Sequence, residues 1–275
     1  MICRVLGVSA SGYYAWRARG ESPRAKANRA LLGTIRAIHA ESGGAYGAPR
    51  VHPVLRSHGR RVGRHRIARL MRGAGLRGPA AIPRRVRTTD NRHDHPIAPN
   101  RLRRNFTATA PNQVWLADLT YIRTGEGWLF LAALIDMFTR KVVGWAVRDA
   151  LHADIALEAL AMAVERQRPA PGLIHRSDRG VQYAADDYAA DDYRKALVAA
   201  CMTPSMSRKR SCLDNAPMES FFHTLKVERV HHRVYATRAE ARRDLFAYIE
   251  GFCNSRRLHS GTGYRSPADM ERMAA

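Results

Sequence analysis

The sequence predicts an α/β chain in two parts: a small all-α, arginine-rich region, then a mixed five-stranded sheet flanked by helices. Three observations predict it. Charge is lopsided: residues 1–105 carry 23 Lys/Arg against 4 Asp/Glu, whereas residues 106–275 carry 23 against 20. Apolar residues recur at helical spacing before residue 78. After Phe106 the pattern switches to strand-like alternation, then to helices and strands in turn.

The helical part divides as follows. "LGVSASGYYAW" reads as a short helix with Ser9 or Ser11 as its N-cap and an aromatic cluster of Tyr13, Tyr14 and Trp16. Residues 26–40 read as an amphipathic helix with Leu31, Leu32, Ile35 and Ile38 on its apolar face. Two shorter helices follow, around 49–58 and 63–73, with a glycine turn at Gly59. Val51, Val54 and Leu55 form the first apolar stripe, and Ile67, Leu70 and Met71 the second. Arg64, Arg66, Arg69 and Arg72 occupy the other positions of the second helix. This reads as a helix-turn-helix over about 45–77, with a basic hairpin that grips phosphates without reading bases as the competing reading. Residues 1–77 are therefore expected to bind DNA. Residues 78–105 read as a basic linker, with Pro79, Pro83, Pro96, Pro99 and little apolar periodicity.

The second part begins at residue 106. "NQVWLADLTYIRT" is a strand, and "GEGWLFLAALIDMFTRKVVGWAV" gives strands at about 128–136 and 141–147. Residues 152–167 form a helix, "GLIHRSD" a short buried strand, "YRKALVAACM" a helix and "TPSMS" a strand. "APMESFFHTLKVERV" and "ATRAEARRDLFAYIEGFCN" are helices. The order βββαβαβα, with the first three strands antiparallel, is the ribonuclease H-like layout. Residues 106–272 form this core with a helical tail.

Composition excludes other classes. A length of 275 residues holds one medium core and a small second domain. No stretch approaches the roughly 18 apolar residues of a membrane span. The first twenty residues lack the apolar core of a signal peptide. Four scattered cysteines without a CxxC pair argue against a disulfide scaffold or zinc finger and fit a reducing cytosol. The histidines His52, His58, His65, His231 and His232 lack cysteine partners, so zinc is not expected. Net charge of +22 and a pI near 11.0 point to a polyanionic partner.

Phosphoryl transfer on DNA calls for two Mg²⁺ about 4 Å apart, held by hard oxygen ligands. Three acids stand in suitable contexts. Asp118 lies mid-strand in "WLADLTYI", where an acid is costly unless neutralised or bound to a cation. Asp178 ends the strand "LIHRSD" and is followed within two residues by Gly180. Glu219 lies early in a helix, with Lys226 two turns along the same face and able to contact the DNA backbone. Each has a structural alternative: a salt-bridged edge acid, a loop cap and a helix N-terminal acid. Among the other acids, Asp136 reads as structural or supporting, and Asp214 as a helix N-cap. Ser177 and His175 fall on opposite sides of one strand, poor geometry for a nucleophile and its base.

"WLADLTYI", "LIDMFTRKVVGWAV", "HRSDRGVQY", "SMSRKRSCLDNAPMESFFHTLKVE" and "CNSRRLHSGTGYRSPADME" strongly resemble the OrfB transposase of IS3-family insertion sequences, whose core is integrase-like. "AYGAPRVHPVLRSHGRRVGRHRIARLMRGAGLRG" resembles the helix-turn-helix that precedes that core. The resemblance spans nearly the whole chain. It implies a DDE polynucleotidyl transferase for DNA integration and recombination. Asp118, Asp178 and Glu219 would be the metal ligands and Lys226 the accompanying basic residue. Mg²⁺, with Mn²⁺ as substitute, would serve strand cleavage at element ends, and the freed 3′-OH would attack another phosphodiester. It further implies element-end and target DNA, an upstream-frame OrfA product or OrfAB fusion, a homo-oligomer on DNA, and a bacterial cytoplasmic, nucleoid-associated location.

The chain departs from that pattern in three places. Arg210 stands where the family has Gly, Arg176 sits within the His175–Asp178 motif, and the word AADDY occurs twice, at 184–188 and 189–193. Forty residues separate Asp178 from Glu219, and removing one AADDY leaves 35, the family spacing. The doubled acids Asp186, Asp187, Asp191 and Asp192 read as surface residues where a loop enters a helix. The repeat and Arg210 keep a second reading open, an inactive DNA-binding remnant that regulates the active transposase. A stand-alone nuclease is a third reading, disfavoured by the tail motif.

Overall fold

The computed structural model describes residues 2–80, 98–151, 154–178, 188–207 and 212–275. Two compact units divide after residue 79: Met1–Pro79 and Ala80–Ala275.

The first unit is all helical. α1 spans Ile2–Val5 and α2 spans Ala10–Ala18. Ser9 caps α2, its Oγ accepting from the Gly12 N–H. α2 buries nothing, and its Tyr13, Tyr14 and Trp16 are exposed and pack on one another. α3 (Pro23–Glu41) opens with a Ser22 cap and a proline in its first turn, where a missing N–H costs nothing. α4 (Ala48–Ser57) and α5 (Arg64–Gly73) pack against it and each other. Leu31, Ile35 and Ile38 meet Val51, Leu55, Ile67 and Met71, all buried. The expected stripe members Leu32, Val54 and Leu70 are half-buried at its margin. Gly59 sits at φ +74° in the connection between α4 and α5, a conformation that favours glycine.

The second unit is built on one mixed sheet. Its strands are β1 (Val114–Thr124), β2 (Gly127–Asp136), β3 (Val142–Arg148), β4 (Ile174–Ser177) and β5 (Thr203–Met206). Their order is β3-β2-β1-β4-β5. The β1–β2 and β2–β3 pairs are antiparallel, and the β1–β4 and β4–β5 pairs parallel. The parallel pairs need crossovers. α6 (Asp154–Gln167) links β3 to β4, and α7 (Tyr188–Ala199) lies between β4 and β5. α8 (Ala216–Glu228), α9 (Arg238–Tyr248) with a π-helical continuation (Ile249–Asn254), and α10 (Pro267–Ala274) complete it.

Strand alternation sends the two faces into two cores. Leu116, Leu129 and Leu131 pack with Phe222, Leu225 and Leu245 on the side of α8 and α9. Trp115, Ala117 and Leu134 pack with Ala159, Leu160 and Leu197 on the side of α6 and α7. α6 approaches β3 so closely that a Cβ on Gly144 would lie 2.1 Å from the Ala159 carbonyl oxygen, which requires glycine there.

Asp136 is structural. Buried in the β2–β3 turn, it accepts from the N–H groups of Asn112, Phe138 and Thr139 and from the Thr139 hydroxyl. Asp214 is no helix cap: α8 begins after Asn215, and the Asp214 carboxylate is wholly buried among donors from elsewhere in the chain. Within the stretch read as a linker, residues 81–97 lie outside the described residues, whereas Asn100–Arg104 dock on the second unit and Leu102 joins its core. The second AADDY word forms the start of α7 rather than a loop. Asp191 and Asp192 pair with Arg194 and Lys195 on the surface. Tyr193 turns inward and its hydroxyl meets His175 Nε2 at 2.8 Å. Asp186, Asp187 and Arg210 lie outside the described residues.

Candidate active site

The register of two strands places the first two acids side by side. β1 and β4 run parallel with Leu116 opposite Arg176, so two residues further on Asp118 and Asp178 stand level. β4 ends at Ser177, leaving Asp178 at its carboxyl end beside a strand that continues. In parallel sheets, ligands gather at such strand ends.

Asp118 is half-buried on the face of β1 toward α8. Its Oδ1 accepts the Leu119 N–H at 2.8 Å. Burial, then the charge of Asp178, holds its carboxyl well above the usual range, and Glu219 adds to the rise. The Leu119 hydrogen bond and Lys226 oppose it.

α8 brings the third acid. Pro217 opens the helix, and Met218, Phe221, Phe222 and Leu225 bury its apolar face. Glu219 is left at the flank of that face in the first turn, exposed, with Lys226 two turns along. Burial and then Asp178 raise the Glu219 carboxyl. Burial lowers the Lys226 ammonium, which Asp118 counteracts. Asp118 thus feels Asp178, Glu219 and Lys226, and Glu219 feels Asp178. Among the described residues, the side chains as they stand do not close into a three-ligand metal cage.

Sequence reasoning missed Tyr121. It lies on β1 three residues beyond Asp118, and burial, then Asp178 and Asp118, raise its phenol. Its ring packs edge-on against Phe130 and Trp128, and the latter is 54% exposed. Strand alternation assigns Tyr121 to the face away from Asp118, so periodicity gave no signal. Asn215, just before α8, is buried, and among the described residues neither of its side-chain amide atoms has a hydrogen-bond partner.

The competing nucleophile pair is absent in the geometry. His175 is buried against Tyr193, and burial pushes its imidazole down to about 4. In the first unit, Arg64, Arg69 and Arg72 of α5 are exposed, whereas Arg66 is half-buried and its Nε donates to Asn28 of α3 at 2.9 Å.

Two relatives cover nearly the whole chain. One is the transposase InsF for insertion sequence IS3A of Escherichia coli (strain K12), 39% identical over 273 residues, 98% of this chain and 92% of the relative. The chain belongs to the IS3 transposase family. The other relative of this IS3-family transposase is the insertion element IS600 uncharacterized 31 kDa protein of Shigella sonnei, 44% identical over 267 residues, 97% of this chain and 96% of the relative. The family description "HTH-like domain" matches residues 26–85, and "Integrase core domain" matches residues 108–212 and again 219–274. A chain of the simian T-cell lymphotropic virus intasome, in complex with PP2A regulatory subunit B56 gamma, aligns with 86% of this chain and 73% of its own length at 12% identity and a TM-score of 0.49. The IS3-family transposase is thus a polynucleotidyl transferase-type enzyme with a DNA-binding helix-turn-helix-like region, an integrase-type core and, among the described residues, no helix long and apolar enough to cross a membrane.

Proposed function

We propose that Asp118, Asp178 and Glu219 are the metal-binding carboxylates of strand cleavage and strand transfer, with Lys226 as a phosphate contact. One observation carries the reading: Asp178, just past the end of β4, raises the carboxyls of both Asp118 on β1 and Glu219 on α8. The donor set suits a hard divalent cation, because carboxylate oxygens are its preferred ligands and their repulsion is what such an ion relieves. Bound there, Mg²⁺, or Mn²⁺ in its place, would polarise a phosphate oxygen and lower the pKa of a water, with two ions the expected number.

The chain's own groups do the rest. Cleavage forms a P–O bond from water and breaks the P–O3′ bond, leaving a 3′-OH. Transfer repeats the exchange with that 3′-OH as nucleophile, so no bond to the protein is made. Lys226 lies beside Asp118, placed to hold the scissile strand's phosphate. Arg64, Arg69 and Arg72 of α5 supply sequence-independent phosphate contacts. The acting form is an oligomer on DNA together with the OrfA product or as the OrfAB fusion, within the bacterial nucleoid. Domain limits of 1–77, 78–105 and 106–272 belong to this reading, with the linker shortened where Asn100–Arg104 dock.

The test is cleavage of a labelled element-end duplex with Mg²⁺, with and without the OrfA region. Asp118→Asn and Glu219→Gln are expected to abolish cleavage and keep DNA binding. Cleavage that survives either change refutes the assignment. DNA binding without cleavage by the unaltered protein in both forms favours the inactive remnant instead.

A further inference from the structure

Near the carboxylates in sequence lies a second polar cluster, built from four distant stretches of chain. Arg176, two residues before Asp178, and Asp214, five before Glu219, both have side chains with 0% exposure. Arg176 Nε donates to the Asp214 main-chain carbonyl at 2.7 Å, and Arg176 Nη2 lies 3.7 Å from Asp214 Oδ2. Asn100 bridges them. Its Oδ1 accepts from Arg176 Nη1 at 2.8 Å and its Nδ2 donates to Asp214 Oδ2 at 3.0 Å. Arg104 Nε donates to the other Asp214 oxygen at 3.0 Å. Ser205 of β5 takes the Arg101 N–H and Arg176 Nη1.

We propose that Arg176, Asp214 and Asn100 form a positioning clamp that fixes Asp178 relative to Glu219, closed by the segment leading into the catalytic unit. The proposal rests on the carboxylate reading and deepens it. Arg176 shares a four-residue strand with the approach to Asp178, so restraining its side chain restrains that strand end. Asp214 sits in the short 3₁₀ turn Cys212–Asn215 that runs directly into α8, so holding its carbonyl and carboxylate holds the start of the helix that carries Glu219. Both joints are buried, where hydrogen bonds to charged groups are strongest and bend least. Mg²⁺ demands near-ideal octahedral ligand placement, so a small loosening between these acids weakens its binding. Asn100 is the member that can be altered safely, because it is only half-buried and uncharged. It also offers a sharp substitution: Asn100→Asp keeps the shape and the acceptor for Arg176 but turns the donor toward Asp214 into a second negative charge.

The experiment measures Mn²⁺ binding to the full chain by calorimetry, alongside end cleavage as a function of Mg²⁺, thermal unfolding and DNA binding. Asn100→Ala is expected to unfold close to the unaltered protein and to bind DNA equally. Its Mn²⁺ dissociation constant and half-maximal Mg²⁺ concentration are expected to rise about tenfold, the usual scale for residues that orient ligands. Asn100→Asp is expected to be worse than Asn100→Ala, and Asn100→Gln to recover part of the loss. Unchanged metal dependence in both Asn100→Ala and Asn100→Asp overturns the clamp, as does a loss fully explained by a lower unfolding temperature. Asp118→Asn, run in parallel, separates the two readings. If it binds Mn²⁺ as well as the unaltered protein, or if the unaltered protein binds none, the carboxylate assignment fails first and the clamp with it. If Asp118→Asn loses Mn²⁺ binding while the Asn100 variants keep it, the clamp alone fails.

Discussion

Two groups of charged side chains lie within a few residues of each other and are treated oppositely. Around Asp214, every carboxylate oxygen meets a donor, and the cations that serve it come from both sides of the sequence. Around Asp118, two further acids raise its carboxyl, and a backbone N–H and a partly buried lysine oppose the rise. A satisfied buried charge stabilises a fold only while all its partners remain, whereas an unrelieved cluster is a cost that function retains. The difference marks Asp214 as an acid that builds, which counting along the chain does not. Asp214 falls at the family's 35-residue spacing from Asp178, yet it builds.

The largest test of that contrast is Asp214→Ala. It leaves Arg176 buried without its carboxylate and is expected to cost about 3–5 kcal/mol of stability, read from a urea titration. A midpoint equal to that of the unaltered protein contradicts the structural role. Next comes pH. His175 is buried neutral on the same strand as Arg176, with its imidazole at about 4 against an ordinary 6.5. The unfolded chain takes up a proton that the folded one refuses. Stability is therefore complete above pH 6.5 and falls toward pH 4, by about 3 kcal/mol in all. His175→Gln is expected to be weaker at pH 7 but to lose that slope, as unfolding curves across this range reveal.

Asp118→Asn has a smaller effect of opposite sign. The folded Asp118 carboxyl is raised, so its charged form destabilises the fold at neutral pH and its protonated form does not. Without metal, the variant is expected to melt a few degrees higher at pH 7. The gain should vanish as pH falls to the ordinary carboxylate range and reverse when Mn²⁺ is added. Equal melting at pH 7 would mean the cluster carries no strain. The smallest effect belongs to Asp191→Asn. Its pairs with Arg194 and Lys195 are exposed. Exposed pairs contribute little, so its melting temperature is expected to stay within measurement scatter in high salt.

The sheet was legible because it announces itself locally, and the three proposed acids stand out by local context too. Alternation marks β1 and β2, and an acid interrupting an apolar strand at Asp118 has few harmless explanations. The stripe Met218, Phe221, Phe222 and Leu225 fixes which side of α8 Glu219 must take. What was illegible depends on contacts across the chain. Nothing in "APNRLRRN" tells that Asn100 bridges residues 76 and 114 positions away, so composition marks the stretch as linker. Arg176 looked like a departure within a motif and proves to be the partner of Asp214. Tyr193 lay in a repeated acidic word, and only the inward turn of α7 distinguishes it from the aspartates beside it.

One further contact bears on how the chain is made. Asn254 uses its side-chain amide as a strand would: Oδ1 accepts the Val142 N–H at 2.8 Å and Nδ2 donates to the Val142 carbonyl at 3.0 Å. β3 is the outermost strand on that side, and an open strand edge recruits other chains. During synthesis the sheet's first three strands leave the ribosome about a hundred residues before the amide that seals this position. Nascent chains and truncated products therefore carry a sticky border. A polypeptide stopped before residue 254 is expected to precipitate more readily than one that extends past it.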